Sequence, residues 1–158
     1  AIDVAAEHFH KNERYEYNGQ ILSSQKLNDI LMGYIKKYNM TYVEDPFDSD
    51  DIKYWKLIKS QNPNIAIVGD DLFATQDKYI NSELANGIII KMNQVGTLTD
   101  TINAFLKAKR ENMVTCMCDL AVALGSTYIK IGGPRRGDRI AKYNRLLRLE
   151  EEDSEVIK

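Results

Sequence analysis

Apolar residues fall into short β-branched runs that alternate with longer stretches of helical periodicity. The run at residues 65–69, for example, follows Pro63 and Asn64 and has the length of a strand buried on both faces. Such alternation predicts an α/β fold, with a parallel sheet, right-handed crossovers and helices outside the sheet. Each run ends in a charged side chain, and the five runs with their charged ends are residues 1–3, 42–45, 65–71, 88–91 and 128–130.

Three amphipathic helices are predicted by apolar residues at three- and four-residue spacing. The residues that can cap these helices are, in order, Ser23 or Ser24, Asp48 or Ser49, and a capping box of Thr97 and Asp100. The side chains expected to face the core are, in the first helix, Leu27, Ile30, Leu31, Tyr34, Ile35 and Tyr38, in the second Ile52, Trp55 and Ile58, and in the third Leu98, Ile102, Phe105 and Leu106.

Four less regular stretches complete the predicted elements. The pair Asn18-Gly19 predicts a tight turn in a small surface hairpin. Residues 77–86 predict a shorter helix that Gly87 closes. Residues 113–115 are barely long enough for a strand and run through residues 116–118 almost directly into the apolar stretch at 119–124. After residues 128–131, a closing helix is expected to carry Ile140, Tyr143 and Leu147.

Length and composition limit the class of protein. At 158 residues the chain has the size of one domain or part of one. A net charge of −2 provides no basic field, so we expect neither nucleic acid nor an anionic membrane as a partner, and no apolar run reaches membrane-spanning length. Cys116 and Cys118 lie too close for an ordinary disulfide and form a poor zinc ligand set, which favours buried thiols and a cytoplasmic location. His8 and His10 are expected at the surface.

The charged residues at the strand ends carry the candidate chemistry. Carboxyl ends of strands converge on one face of a barrel of alternating strands and helices, and that face hosts the reaction. Three acids and two lysines would meet there: Asp3, Glu44, Asp70, Lys91 and Lys130. Hard oxygen ligands suit Mg²⁺, and a lysine beside such a cation loses its proton more readily than in water. The pattern therefore predicts proton abstraction next to a carboxylate.

Several motifs, taken in order, resemble the C-terminal part of the enolase family over nearly the whole chain. The motifs are Ala1-Ile2-Asp3-Val4-Ala5-Ala6, Val43-Glu44-Asp45-Pro46-Phe47, Gly69-Asp70-Asp71-Leu72, residues 90–97 (IKMNQVGT), residues 129–134 (IKIGGP) and residues 138–144 (DRIAKYN). The resemblance implies that residues 1–158 form the C-terminal portion of an enolase-type TIM (β/α)₈ barrel, incomplete and without the family's N-terminal domain.

The same resemblance implies an activity and its residues. The expected reaction is the Mg²⁺-dependent dehydration of 2-phosphoglycerate to phosphoenolpyruvate in glycolysis, a carbon–oxygen lyase reaction. By the match, Asp3, Glu44 and Asp70 hold the Mg²⁺ that grips the substrate carboxylate, Lys91 is the general base and Lys130 contacts the substrate. Enolase-superfamily sites, with a lysine base and Mg²⁺, are a known example of this chemistry.

The chain departs from the family pattern in two ways. The family places a Ser-His-Arg-Ser-Gly segment at its seventh strand end, whereas here residues 115–118 lead directly into the next helix. The family's acid-side glutamates and closing loops come from segments before the one matching Asp3. A second hypothesis is therefore a catalytically inactive enolase-derived fragment, either an interaction protein or an incomplete gene product. An unclosed barrel has two open strand edges, which favours self-association or a homodimer.

Overall fold

The structure is a computed structural model that describes the backbone of residues 1–156 and the side chains of residues 1–153. Strands and helices alternate along most of this range. The strands are β1 (Ile2–Asp3), β2 (His10–Lys11), β3 (Arg14–Tyr17), β4 (Gln20–Leu22), β5 (Tyr42–Glu44), β6 (Ala66–Gly69), β7 (Gly87–Ile90), β8 (Val114–Met117) and β9 (Tyr128–Ile129). The helices are α1 (Ser24–Lys37), α2 (Ile52–Gln61), α3 (Met92–Val95), α4 (Leu98–Arg110), α5 (Ala121–Leu124) and α6 (Gly137–Val156).

Six strands form one parallel sheet in the order β1-β5-β6-β7-β8-β9. Every neighbouring pair is parallel, for example Val43 beside Ile67 and Ile89 beside Cys116. The sheet curls into a half-barrel with helices outside it, so the prediction of a partial α/β barrel is confirmed. All strands point the same way, and their carboxyl ends form one rim of the curl.

The central strands β6 and β7 are buried on both faces, which explains their nearly continuous apolar runs. Helices cover the outer face of the sheet, where Trp55, Ile58 and Phe105 belong to the main core. The inner face has a smaller cluster of buried side chains, namely Ala66, Val68, Ile89 and Cys116. A glycine is required at Gly87, where β7 pairs with β6, because a Cβ atom there would lie 2.7 Å from Val68 Cγ2. Close packing at this point leaves no room for a side chain.

The predicted surface hairpin is confirmed as part of a separate antiparallel sheet, β2-β3-β4. Asn18 and Gly19 connect β3 to β4 with φ values of 50° and 72°, the positive values that a tight hairpin turn requires. Tyr15 anchors this sheet to the barrel. Its buried hydroxyl accepts a hydrogen bond from the Asp48 backbone N–H and donates one to Asp51, both at 3.0 Å.

Two of the three predicted helix caps are confirmed. The Ser23 hydroxyl accepts from the Lys26 backbone N–H at the start of α1, and Thr97 accepts from Asp100 at the start of α4. The cap predicted for α2 is wrong, because that helix begins at Ile52 and neither Asp48 nor Ser49 reaches it. Asp48 instead accepts from the Asp50 backbone N–H, in a turn that precedes the helix.

The helical periodicity identified each helix but misplaced the edges of the buried faces. Trp55, Ile58, Leu27, Leu31 and Phe105 are buried as predicted. The expected inward orientation is wrong for residues at the margins of these faces, where the helix turns away from the sheet. These exposed residues are Tyr38, Ile52, Leu98 and Leu106. Small residues take the place of the two leucines on α4, whose buried face is completed by Thr101, Ala104 and Ala108.

The helix predicted over residues 77–86 is wrong. Residues Asp77–Tyr79 form a short 3-10 turn, and Gly87 begins β7 instead of closing a helix. Long-range hydrogen bonds hold this segment in another conformation: Asn86 accepts from the Ile67 backbone N–H at 2.6 Å and donates to the Ile65 carbonyl at 2.8 Å. A side chain that caps a neighbouring strand cannot also continue a helix here.

The strand expected at residues 113–115 is longer than predicted. It runs over Val114–Met117, so Cys116 lies within the sheet and is buried, while Cys118 is half-buried, and both thiols are free. The segment after it is sparsely packed. Both residues of β9 are exposed, and no α6 side chain between residues 137 and 153 is buried, including that of Tyr143, although helical tyrosines were expected in the core.

Candidate active site at the carboxyl rim of the sheet

Five sequence-predicted residues lie along the carboxyl rim of the parallel sheet. Asp3 and Glu44 are the last residues of β1 and β5. Asp70, Lys91 and Lys130 follow directly after β6, β7 and β9. The structure brings these side chains together in two ion-pair networks.

Lys130 connects the two ends of the curled sheet. Its Nζ lies 2.9 Å from Asp3 Oδ2 and also contacts Glu44 Oε1. The second oxygen of Glu44 accepts a hydrogen bond from the Tyr42 hydroxyl at 3.0 Å. Below this network, the ring of Tyr42 packs edge-on against that of Tyr128, with centroids 5.7 Å apart. Residues of β5 and of the last strand thus meet across the inside of the half-barrel.

Lys91 belongs to a second network, built around Asp70. The ammonium of Lys91 contacts Asp70 Oδ2, and the amide nitrogen of Gln94 donates to Asp70 Oδ1 at 3.0 Å. Asp70 is buried, whereas about a quarter of the Lys91 side chain is exposed. The Lys91 ammonium therefore lies between the buried Asp70 carboxylate and solvent, where a bound molecule could reach it.

Asp45 is a further acid at the rim, and the sequence analysis placed it at the charged end of residues 42–45 but gave it no role in the site. Its two oxygens accept hydrogen bonds from the backbone N–H groups of Asp70, at 2.8 Å, and Asp71, at 3.2 Å. These bonds fix the backbone at Asp70 and orient that residue toward the rim. The positive φ of Asp45, 41°, together with Pro46 directly after it, is the local signal that this residue has a special position.

Burial and the ion pairs shift the pKa values of the rim residues. Burial raises the pKa of Glu44, and the ammonium of Lys130 offsets only part of that effect. Burial raises the pKa of Asp45 to about 7 despite its two backbone hydrogen bonds. For Lys91 and Lys130 burial acts in the opposite direction, but their carboxylate partners outweigh it, so the pKa of each lysine lies above its ordinary value. Both lysines are therefore protonated in this arrangement.

The donor chemistry of the rim fits a hard divalent cation. One carboxylate oxygen from each of Glu44, Asp45 and Asp70 lies within 4.8 Å of the others, and all three residues are buried. Mg²⁺ binds oxygen ligands, and a few carboxylates with water complete its usual shell. Each of the three carboxylates also has two polar partners within the chain: Tyr42 and Lys130 for Glu44, the backbone N–H groups of Asp70 and Asp71 for Asp45, and Gln94 and Lys91 for Asp70. Asp3, on the same rim, lies outside this compact group and is connected to Glu44 through Lys130.

The two histidines lie apart from the ion-pair networks, whereas Cys116 lies beside Tyr42 of the first network. His8 is exposed, and His10 is half-buried with its Nδ1 2.9 Å from Asp48 Oδ2, beside the small antiparallel sheet. Burial raises the pKa of the Cys116 thiol to about 11, which keeps it protonated at neutral pH. In the part of the chain that the structure describes, no helix is long and apolar enough to span a bilayer.

The half-barrel architecture places this chain in the class of partial (β/α) barrels. Its acids and lysines lie at the carboxyl ends of the strands, the face at which such barrels carry their active sites. The family model for the C-terminal TIM barrel domain of enolase matches residues 1–158. The chain is also 38% identical over 169 aligned residues to an enolase of Kineococcus radiotolerans. That alignment covers 96% of this chain and 39% of the relative. The chain therefore belongs to the enolase family and spans about two fifths of that relative's length.

Proposed function

We propose that this chain provides the C-terminal part of an enolase-type active site, which dehydrates 2-phosphoglycerate to phosphoenolpyruvate with Mg²⁺. The convergence of Asp3, Glu44, Asp70, Lys91 and Lys130 at one rim is the observation that carries the proposal. Membership of the enolase family supports the same reaction.

In this proposal Asp3, Glu44 and Asp70 hold the cation, and Lys91 and Lys130 act on the substrate. When bound, Mg²⁺ stabilises the negative charge that develops on the substrate carboxylate as the neighbouring proton leaves. Lys130 keeps its proton, because its pKa is raised, and binds the anionic substrate. Lys91 Nζ accepts the proton from the carbon next to the carboxylate.

Lys91 can act as a base only after it loses the proton that its ion pair with Asp70 favours. Asp70 holds the pKa of Lys91 above its ordinary value while the two groups are in contact. A carboxylate that binds a cation gives a neighbouring lysine less negative charge, so its pKa falls. Asp70 thus links the proposed cation site to the protonation of the proposed base. We assign no residue of this chain to the acid that protonates the departing hydroxide.

Thermal unfolding with and without Mg²⁺ tests the cation site directly. At a Mg²⁺ concentration 100 times the dissociation constant, binding to the folded chain adds about 2.7 kcal/mol of stability. For a chain of this size that corresponds to a rise in melting temperature of about 5–10 °C. Asp70→Asn should abolish the rise, whereas the control Asp71→Asn changes an exposed neighbouring carboxylate and should keep it. Equal responses in the parent and Asp70→Asn would contradict the ligand assignment.

The reaction itself is tested by the ultraviolet absorbance of phosphoenolpyruvate formed from 2-phosphoglycerate and Mg²⁺. Lys91→Ala should remove any turnover, because the proposed base is lost. Lys26→Ala replaces an exposed lysine of α1 and is the control variant, which should keep the turnover of the parent. Turnover that persists in Lys91→Ala would contradict the role of this lysine.

The ion pairs also favour a second candidate function, an enolase-derived interaction protein without activity. Lys91 pairs with Asp70, and Lys130 pairs with Asp3 and Glu44, so cations of the chain itself already balance part of the negative charge at the rim. β8 is followed by a short connection to α5, where the family carries its Ser-His-Arg-Ser-Gly segment. A folded chain whose melting temperature does not respond to Mg²⁺ and that forms no phosphoenolpyruvate would support this candidate. Self-association through the open edges at β1 and β9 would then be examined by sedimentation.

A further inference from the structure

We propose that Thr75 and Gln94 are positioning residues that hold Asp70 and Lys91 in their relative arrangement at the rim. This inference rests on the proposed function, because it concerns the proposed cation ligand and the proposed base. Thr75 lies in the loop after β6, and Gln94 lies in the short helix α3 after β7. Neither residue contacts the substrate in this proposal.

Four hydrogen-bonding contacts connect these residues in a closed ring. The backbone N–H of Lys91 donates to Thr75 Oγ1 at 2.9 Å, and the Thr75 hydroxyl contacts Gln94 Oε1. Gln94 Nε2 donates to Asp70 Oδ1 at 3.0 Å. The contact between Asp70 Oδ2 and Lys91 Nζ closes the ring. Lys91 thus contributes two groups to the ring, its backbone N–H and its side-chain ammonium.

The direction of each hydrogen bond follows from the donor and acceptor chemistry. A backbone N–H can only donate, so Thr75 accepts from Lys91 and its single hydroxyl proton remains for Gln94. The Asp70 carboxylate can only accept, so the Gln94 amide must present its NH₂ group to Asp70, which leaves Oε1 to accept from the Thr75 hydroxyl. The opposite amide orientation would place a carbonyl oxygen against a carboxylate. Asp70 therefore selects the orientation in which Gln94 Nε2 donates to it and Oε1 is left for the Thr75 hydroxyl.

The backbone conformation at Thr75 supports a special role for this residue. Its side chain is fully buried, and its φ is 56°, directly after Ala74 with φ 44°. A β-branched residue in the left-handed region is rare and costs of order 1 kcal/mol or more, so the surroundings must hold it there. The conformation places Oγ1 within hydrogen-bonding distance of the Lys91 backbone.

A matched set of variants separates positioning from general stability. Thr75→Val removes the hydroxyl but preserves the shape, and Thr75→Ser restores the hydroxyl. Gln94→Leu removes the amide that contacts Asp70. Gln76 and Gln94 both line a cavity of about 320 Å³. Gln76→Leu is the control for Gln94→Leu, because the Gln76 side chain makes no hydrogen bond to the residues that the structure describes.

Mg²⁺ affinity, measured by calorimetry on the full chain, is the first readout. Residues that orient a metal ligand through a hydrogen bond change metal affinity by about 10- to 100-fold when they are replaced. Gln94→Leu and Thr75→Val should therefore weaken Mg²⁺ binding about 10- to 100-fold, while Thr75→Ser and Gln76→Leu retain the parental affinity. Parental affinity in folded Gln94→Leu would overturn the proposal.

Nuclear magnetic resonance of the metal-free chain gives a second readout that does not depend on activity or on Mg²⁺. In Thr75→Val the Lys91 backbone amide and the Gln94 side-chain amide should both shift, because each loses its hydrogen bond to the hydroxyl, and Thr75→Ser should restore both. If the parent binds no Mg²⁺, the proposed function fails, and this comparison still decides the positioning. Unchanged Lys91 and Gln94 resonances in folded Thr75→Val would then overturn it.

Discussion

The central strands β6 and β7 and the last strand–helix unit, β9 and α6, belong to the same alternating pattern but are packed very differently. Every residue of β6 and β7 is buried, and Ile88, Ile89 and Ile90 have no exposed surface. By contrast, both residues of β9 are exposed. None of the described side chains of α6 is buried. A similar pattern of residues therefore produces a well-packed region only where both faces of the element are covered.

Polar contacts, not apolar burial, attach α6 to the segments that follow β8 and β9. Lys142 Nζ lies 2.7 Å from Asp119 and 3.0 Å from the Cys118 carbonyl, and the Tyr143 hydroxyl donates to the Gly132 carbonyl at 2.6 Å. Exposed ion pairs of this kind contribute about 0–1 kcal/mol each. An open apolar groove of about 440 Å³ remains between α5 and α6. Lys130, one of the five candidate site residues, thus belongs to the more weakly held region.

The largest expected effect is in the well-packed region. Ile89→Ala removes a fully buried side chain from the cluster on the inner face of the curled sheet. The free energy of unfolding should fall by about 2–5 kcal/mol, because a cavity remains where the side chain was. Urea unfolding measures the change. Val122→Ala, at an exposed position of α5, is the control and should cost less than about 0.5 kcal/mol. A loss below about 1 kcal/mol in Ile89→Ala would contradict tight packing inside the half-barrel.

A smaller effect is expected where the two regions meet, at Lys130. Lys130→Met leaves the buried carboxylate of Glu44 without its cation, but the lysine side chain is 37% exposed, and solvent reduces the loss. We expect the free energy of unfolding to fall by about 1–2 kcal/mol. In a double-mutant cycle, Glu44→Gln should restore part of that loss, because it removes the unpaired charge. Strictly additive effects would show that the ion pair does not couple the regions.

Short-range signals account for the elements that the sequence predicted correctly. Ser23 and Thr97 cap helices through residues only three positions away, and Asn18-Gly19 forms a turn from its own conformational preference. The failures depend on contacts that are distant in sequence. Residues 77–86 are not helical because Asn86 bonds to β6 and because Glu111 accepts from the Ser82 backbone N–H at 2.7 Å. No local pattern contains that information.

The candidate site shows the same division. All five charged residues were identified, since each follows an apolar strand and parallel strands align their carboxyl ends. The orienting roles of Asp45 and Thr75 were missed, because Asp45 acts through hydrogen bonds to residues 25 and 26 positions away and Thr75 lies in a loop with no periodicity. Gln94 carried one usable signal, a polar residue three positions after Lys91 and therefore close to it on a helical turn.

The smallest effect is expected on α6 and sharpens the comparison most directly. Leu147→Ala should change the free energy of unfolding by less than about 0.5 kcal/mol, because this side chain is already 56% exposed when the chain is folded. Leu31→Ala, which removes the same atoms from the buried face of α1, should cost about 2–5 kcal/mol. Urea unfolding of both variants at two protein concentrations provides the measurement. A loss above about 1 kcal/mol in Leu147→Ala that grows with concentration would mean that a second copy covers α6 in solution, and the weakly held region would then be an interface.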